Sequence, residues 1–249
     1  MGMKRIGEIF NRSFEAYGRN FKTISFFSIP FLVSFPVALF ISNYAAMGSI
    51  FMRLDSIKWD MTPFDMGIII LLPIVSMLLF SFALVAINMI ITSQRSMNKI
   101  AFYEMEKIEQ RTYHLFEIFL AAFAITFIAD VFLYQYGLHP TIGALVAALV
   151  ALSIIFVPQA IVIDGFRGWT AIRKSISTVK HRFSYVLLFL VVSAVLILAN
   201  DMIFLNISQD PRIFAYGRYA AIVINALVIL PFLEVFKVQT YLSKYTLLN

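Results

Sequence analysis

Asp130 and Asp201 are the residues of this sequence best placed to do chemistry, because each falls within a long apolar run. An acid inside a membrane-length segment is expensive to bury, and so marks an ion path, a proton relay or a buried pair by default. Depth argues for a milder role. Each acid lies about 15–17 residues from the inner end of its run, or roughly 23–25 Å, and the hydrocarbon core is about 30 Å thick. Both carboxylates could therefore reach the outer headgroups. Three roles fit: an interfacial or capping acid, a buried structural hydrogen bond, or an ion or proton site. The depth favours the first. Asn88, Asn200 and Asn225 also fall in or near apolar runs. Hydrogen bonds between helices, worth about 0.6 kcal/mol each, are their default role, and lining a solute path is the sharper one.

The remaining chemistry is sparse. His114, His139 and His181 form no i, i+4 pair and no H-E-x-x-H pattern, so no metal site is expected. Cysteine is absent, which excludes disulfides, thiolate metal sites and cysteine nucleophiles. The phosphate loops G-x-x-x-x-G-K-[ST] and G-x-G-x-x-G do not occur, nor does the serine elbow G-x-S-x-G. Neither a catalytic constellation nor a cofactor is expected, and the chain does not read as an enzyme.

The elements that would position these residues are membrane helices. Of 249 residues, 61% are hydrophobic and 14% charged. Soluble domains average roughly 45–50% apolar and 25% charged residues. The excess, including 26 phenylalanines, must face lipid. A span needs about 20 mostly apolar residues. The spacing predicts spans near 23–47, 64–92, 115–134, 141–163, 184–205 and 217–236. Prolines 30, 36, 73, 158 and 231 fall inside or at the ends of these spans. They predict kinks rather than breaks, because neighbouring helices can satisfy the carbonyls they free. No linker divides the chain, so residues 1–249 read as one membrane domain. Nor does it open with a cleavable signal: Lys4 and Arg5 lead into a mixed segment with Glu8, Arg12, Glu15 and Arg19.

Lysine and arginine set the orientation. Sixteen of the twenty precede span 1, follow span 6, or lie between spans 2 and 3 or 4 and 5; only Arg53, Lys58, Arg212 and Arg218 lie on the other side. Both termini are therefore expected inside the cell membrane. The net charge of +6 follows the membrane boundary, which argues against a nucleic-acid partner. The sequon Asn206-Ile207-Ser208 falls on the predicted outer side.

The basic segments also have helical period. Phe10, Phe14, Tyr17 and Phe21 form one stripe, and Ile172, Ile176, Val179 and Phe183 form another. Amphipathic cytoplasmic surface helices are expected, with Arg12, Arg19, Arg173, Lys174 and Arg182 as candidate contacts to lipid headgroups, anionic ones above all. A shift of 162 positions superposes the two stripes, Ser13 on Ser175 and Arg12 on Lys174. A shift of 71 brings Arg111 onto Arg182, Asp130 onto Asp201 and Pro140 onto Pro211. The pattern suggests three helix-hairpin repeats, 1–93, 94–163 and 164–249, in one orientation.

The stretch Pro158-Gln159-Ala160 through Asp164-Gly165, then Gly168-Trp169 and Ala171-Ile172-Arg173-Lys174-Ser175, resembles the signature of a family of multispan prokaryotic membrane proteins. Ser13-Phe14, Tyr17 and Asn20-Phe21 fit the same style. That family includes the membrane domain of some glycerophosphodiester phosphodiesterases, whose activity sits in a separate soluble barrel. The resemblance implies a membrane domain rather than an enzyme. The expected class is an all-α polytopic bundle of about six transmembrane helices. Its expected function is that of a scaffold, an accessory subunit or a lipid-organising domain, with membrane lipids, another membrane protein or a second copy as partner. A small-solute or ion transporter is the alternative, with Asp130, Asp201, Asn88 and Asn225 as its candidate polar lining.

Overall fold

Helices make up every regular element of the computed structural model, which describes residues 3–34, 63–95, 102–205 and 211–243. In chain order they are α1 (Met3–Arg19), α2 (Phe21–Phe27), α3 (Pro63–Arg95), α4 (Phe102–Gln135), α5 (Ala144–Ile154), α6 (Val157–Val162), α7 (Gly168–His181), α8 (Phe183–Leu205), α9 (Pro211–Ile224) and α10 (Leu230–Leu242). Five segments are long and apolar enough to cross a membrane: 71–93, 107–133, 141–162, 183–204 and 219–242. They match five of the six expected spans. The first expected span begins as the apolar helical stretch Phe21–Ser34, and the rest of it, like Asn206, lies outside the described residues.

Length explains the shape of the bundle. Helices α3 and α4 have 33 and 34 residues, or about 50 Å at 1.5 Å per residue, against a hydrocarbon core of about 30 Å. They must project beyond it. Burial shows which end is wrapped in protein. Residues 83–91 of α3, 156–162 around α6 and 231–236 of α10 are buried, whereas Ile128, Phe132, Leu145, Leu149, Leu198 and Met202 are exposed. One end of the bundle is thus a packed core, and the other presents bare apolar side chains as lipid requires.

The prolines behave in three ways. Helix α3 runs unbroken through Pro73. Pro231 cannot donate to the Leu227 carbonyl four residues back, and the chain there takes a π-helical turn, Asn225–Ile229, in which the Leu230 N–H bonds to the Asn225 carbonyl. Before Pro158 the expected kink is a break: α5 ends at Ile154 and α6 starts at Val157. The Phe156 N–H, left without a helical partner, donates to Ser175 Oγ at 3.1 Å.

The two segments that carry the stripes are helical, as α1 and α7, but α1 does not stand apart as a surface helix. It runs antiparallel along α10, with Phe10 against Phe236 and both Phe14 and Tyr17 against Phe232, ring centroids 4.7–5.7 Å apart. Tyr17 Oη donates between the carbonyls of Leu227 and Val228 at 3.4 and 3.3 Å, covering the carbonyl that Pro231 leaves open. The helix breaks at Asn20 and Arg182 are 162 residues apart, the shift that superposes the two stripes. The middle segment departs from this pattern. Helix α4 passes through Arg111, the position matching Arg182, without interruption, so there is no separate surface helix in residues 102–135.

Candidate functional site

At the packed end, three helices bring three polar side chains together around Glu234. Its α10 backbone position faces α3 and α6, and its side chain is 3% exposed. Asn88 Nδ2 donates to Oε1 at 2.6 Å, and Gln159 Nε2 donates to the same oxygen at 2.7 Å. Oε2 lies 2.6 Å from Lys237 Nζ, one helical turn further along. That spacing of three residues puts the ammonium on the carboxylate's own face. Lys237 Nζ also lies 3.4 Å from the Ile155 carbonyl, exposed by the break before Pro158, and 5.9 Å above the Phe189 ring. The broken span and the buried ion pair are therefore one construction. A buried carboxylate without a partner would be strongly unfavourable; here both oxygens are engaged, and the ammonium neutralises the charge.

A second knot seals the same end. Tyr241 Oη donates to Asp164 Oδ2 at 2.7 Å, and Lys174 Nζ lies 3.6 Å from that oxygen. Arg182 donates to the Thr240 carbonyl at 2.8 Å and to Ser243 Oγ at 2.6 Å. Burial lowers its guanidinium pKa from the ordinary value, with Tyr185 and Tyr241 acting in the opposite direction. These contacts tie the turn after α6, α7 and the α7–α8 break to the end of α10.

The expected headgroup contacts divide accordingly. Arg12 is exposed, Arg19 is exposed beside Glu15 at 3.3 Å, and Arg173 stacks 5.6 Å over the exposed Trp169. Lys174 and Arg182 are half-buried and hold protein partners, Asp164 for the first and the end of α10 for the second. Of the intramembrane candidates, Asn88 belongs to the Glu234 cluster. Asn225 is buried: its Oδ1 accepts from Asn200 Nδ2 at 3.0 Å, and its Nδ2 donates to Asp201 Oδ1 at 3.3 Å. Asp201 is thus a hydrogen-bond partner between α8 and the π-helical turn. Asp130, half-buried on α4, makes no hydrogen bond or ion pair among the described residues and is not joined to Asp201.

The sequence reading missed Glu234, Lys237 and Gln159 as a set. Glu234 and Lys237 look like charges trailing off the last span, and only their spacing of three residues hints at a pair. Gln159, a lone amide in a run otherwise free of polar side chains from Ile154 to Ile163, was the clearer signal. Groups of three or more His, Cys, Asp or Glu residues able to hold a metal ion are absent among the described residues.

Comparison with protein-family models, with curated proteins and with solved structures finds no match to this chain.

Proposed function

We propose that the chain is a non-enzymatic multispan protein of the cell membrane, a scaffold or lipid-organising domain with both termini in the cytoplasm. The observation that carries this reading is the division of the bundle. Long helices leave bare apolar surface at one end, and at the other they meet in a core whose buried acids, Glu234 and Asp164, are each held by a lysine and by neutral donors. Such an interior fixes a shape and leaves its charges engaged with one another. The bias of lysine and arginine toward that end supports its cytoplasmic placement. The resemblance of residues 158–175 to the membrane domains attached to phosphodiesterases supports a domain that serves the membrane or a partner within it. The breaks at Asn20 and Arg182 support a repeat of the first and third units.

A second reading, a small transporter, has one observation in its favour. Two interrupted helices, the α5–α6 break and the π-helical turn before Pro231, belong to spans that meet at Glu234 and Lys237, and interrupted spans are where transporters build their sites. One experiment separates the two. The protein is purified with its native lipids, co-purifying lipids and proteins are identified by mass spectrometry, and flux of protons and cations is measured in liposomes. The scaffold reading expects a reproducible lipid or protein partner and no flux. Flux that disappears in Glu234→Gln would replace it with the transporter.

A further inference from the structure

A cavity of about 180 Å³ opens between α4 and the turn joining α6 to α7. It is far larger than the roughly 10–15 Å³ that admits one water and smaller than the 300 Å³ or more of a drug-sized site. Lys107, Arg111, His114 and Arg167 line it, together with Gln110 and Phe166. Among the described residues that line it, the charged groups are basic. We propose that this cavity binds a phosphate-bearing anion, and that its source is the headgroup of an anionic phospholipid.

The depth of the cavity points to the headgroup. Lys107 opens the apolar segment 107–133, and Ile161 in the cavity floor is one residue from the end of the segment 141–162. The cavity therefore sits where two spans leave the hydrocarbon, the level at which lipid phosphates lie. Trp169, exposed one turn away, stands where interfacial aromatics anchor membrane helices.

The walls are built rather than accidental. Gly165 takes φ +70°, a conformation glycine adopts without cost, and so turns the chain back between α6 and α7. Arg167 Nη2 reaches across to Gln110 Oε1 at 3.5 Å. The Phe166 ring is held from the other side by Lys174 Nζ, 5.6 Å from its centroid. The Arg167 backbone N–H donates to Thr170 Oγ1 at 3.2 Å, which fixes the start of α7. His114 Nδ1 lies 3.5 Å from Glu117 Oε2, while its Nε2 is buried and has no hydrogen-bond partner. Two guanidiniums, an ammonium and an imidazole nitrogen on one small concavity suit the several acceptor oxygens of a phosphate, which arginine binds in two-point fashion. The proposal rests on the placement of this end at the cytoplasmic headgroups only for the source of the phosphate; the anion chemistry stands without it.

The test uses the full chain in nanodiscs of phosphatidylcholine alone, of phosphatidylcholine with phosphatidic acid, and of phosphatidylcholine with inorganic phosphate in the buffer. Binding is read by native mass spectrometry and by the shift in thermal midpoint. Arg111→Gln with Arg167→Gln should weaken binding of phosphatidic acid by about tenfold or more, as expected for loss of charged hydrogen bonds. Lys22→Gln with Lys180→Gln removes the same charge from exposed positions on α2 and α7 and should leave binding within about twofold of the parent. Should the double cavity variant misfold, Lys107→Gln, on an exposed side chain, should give a smaller loss in the same direction. Equal losses in the cavity variant and the exposed-lysine variant would overturn the site and leave only diffuse attraction to an anionic surface. Equal binding in neutral and anionic discs would overturn the lipid source. An equal shift with inorganic phosphate, itself lost in the cavity variant, would retain the phosphate site and reassign its source to solution.

Discussion

Removing the ammonium of Lys237 tests whether Glu234 is held as a buried charge. In Lys237→Met the apolar stem is kept and the charge lost, so the carboxylate, 3% exposed, faces the core with only the Asn88 and Gln159 amides as donors. Deleting one partner of a buried pair costs about 3–5 kcal/mol. The two remaining charged hydrogen bonds, each worth about 1.5–3 kcal/mol, place the expected cost at the lower end, about 3 kcal/mol. For a chain of this size, 1 kcal/mol moves a thermal midpoint by about 2–4 °C, so the drop should be about 6–12 °C. The assay is heating in mild detergent followed by recovery of the monodisperse size-exclusion peak. Glu234→Gln alone should also destabilise, because it strands the lysine. The double variant, with neither charge, should return to within about 1 kcal/mol of the parent, giving a coupling of 2 kcal/mol or more. A shift of less than about 2 °C in Lys237→Met, or a double variant as unstable as the sum of the singles, would refute the buried pair and imply that water reaches it.

Three further outcomes follow from other contacts. Burial pushes the Tyr17 hydroxyl up to about 12 from its ordinary 10.0, so the fold disfavours its ionised form. Stability should hold below pH 10 and fall as the pH climbs from about 10 to 12, where the unfolded tyrosine ionises first. Tyr17→Phe should be less stable at neutral pH by about 1–3 kcal/mol, the cost of an uncovered carbonyl, but should lose less on alkaline titration, as read by thermal midpoints across pH. Gly217 approaches the Phe204 carbonyl so closely that a Cβ would overlap it; Gly217→Ala should force α8 and α9 apart and cost about 1–3 kcal/mol, visible as a lower midpoint. The chain is free of cysteine, so single cysteines at Ser177 and Thr141, both exposed at opposite ends, report topology directly. In intact cells Thr141→Cys should react with an impermeant maleimide and Ser177→Cys should not; the reverse pattern would invert the orientation.

What the sequence made legible was whatever depends on mean composition or on period. The five described spans follow from local pattern, because lipid rewards apolar length. What stayed hidden depends on which helices touch. Lys174 and Lys237 look the same as boundary lysines in one dimension, yet one meets Asp164 and the other Glu234. Asp201 reads as a headgroup-level acid by depth alone, but Asn225, the first residue of the π-helical turn before Pro231, donates to it. The break before Pro158 differs from the expected kink, since the sequence does not reveal that Ser175, nineteen residues after Phe156, supplies the acceptor for the Phe156 N–H.

The position of the polar groups along the helices carries a further consequence. Within hydrocarbon, helices gain little by excluding water from one another, and they associate through close packing and a few hydrogen bonds. Beyond it, apolar side chains are driven together by the ordinary hydrophobic effect. Burial differs between the helices: 56% of the apolar stretch in the segments 71–93 and 219–242 is buried inside the protein, against 17% in 107–133 and 183–204, so α3 and α10 form the centre of the bundle. The Glu234 cluster is built from α3, α10 and the segment 141–162, and its buried carboxylate is surrounded by protein. A membrane-embedded ion site would be expected nearer the bilayer centre, between spans that leave a wet cavity. A core that locks its charges to one another, with α1 laid against its last helix, favours the proposed reading of a fixed surface over alternation between two faces of the membrane.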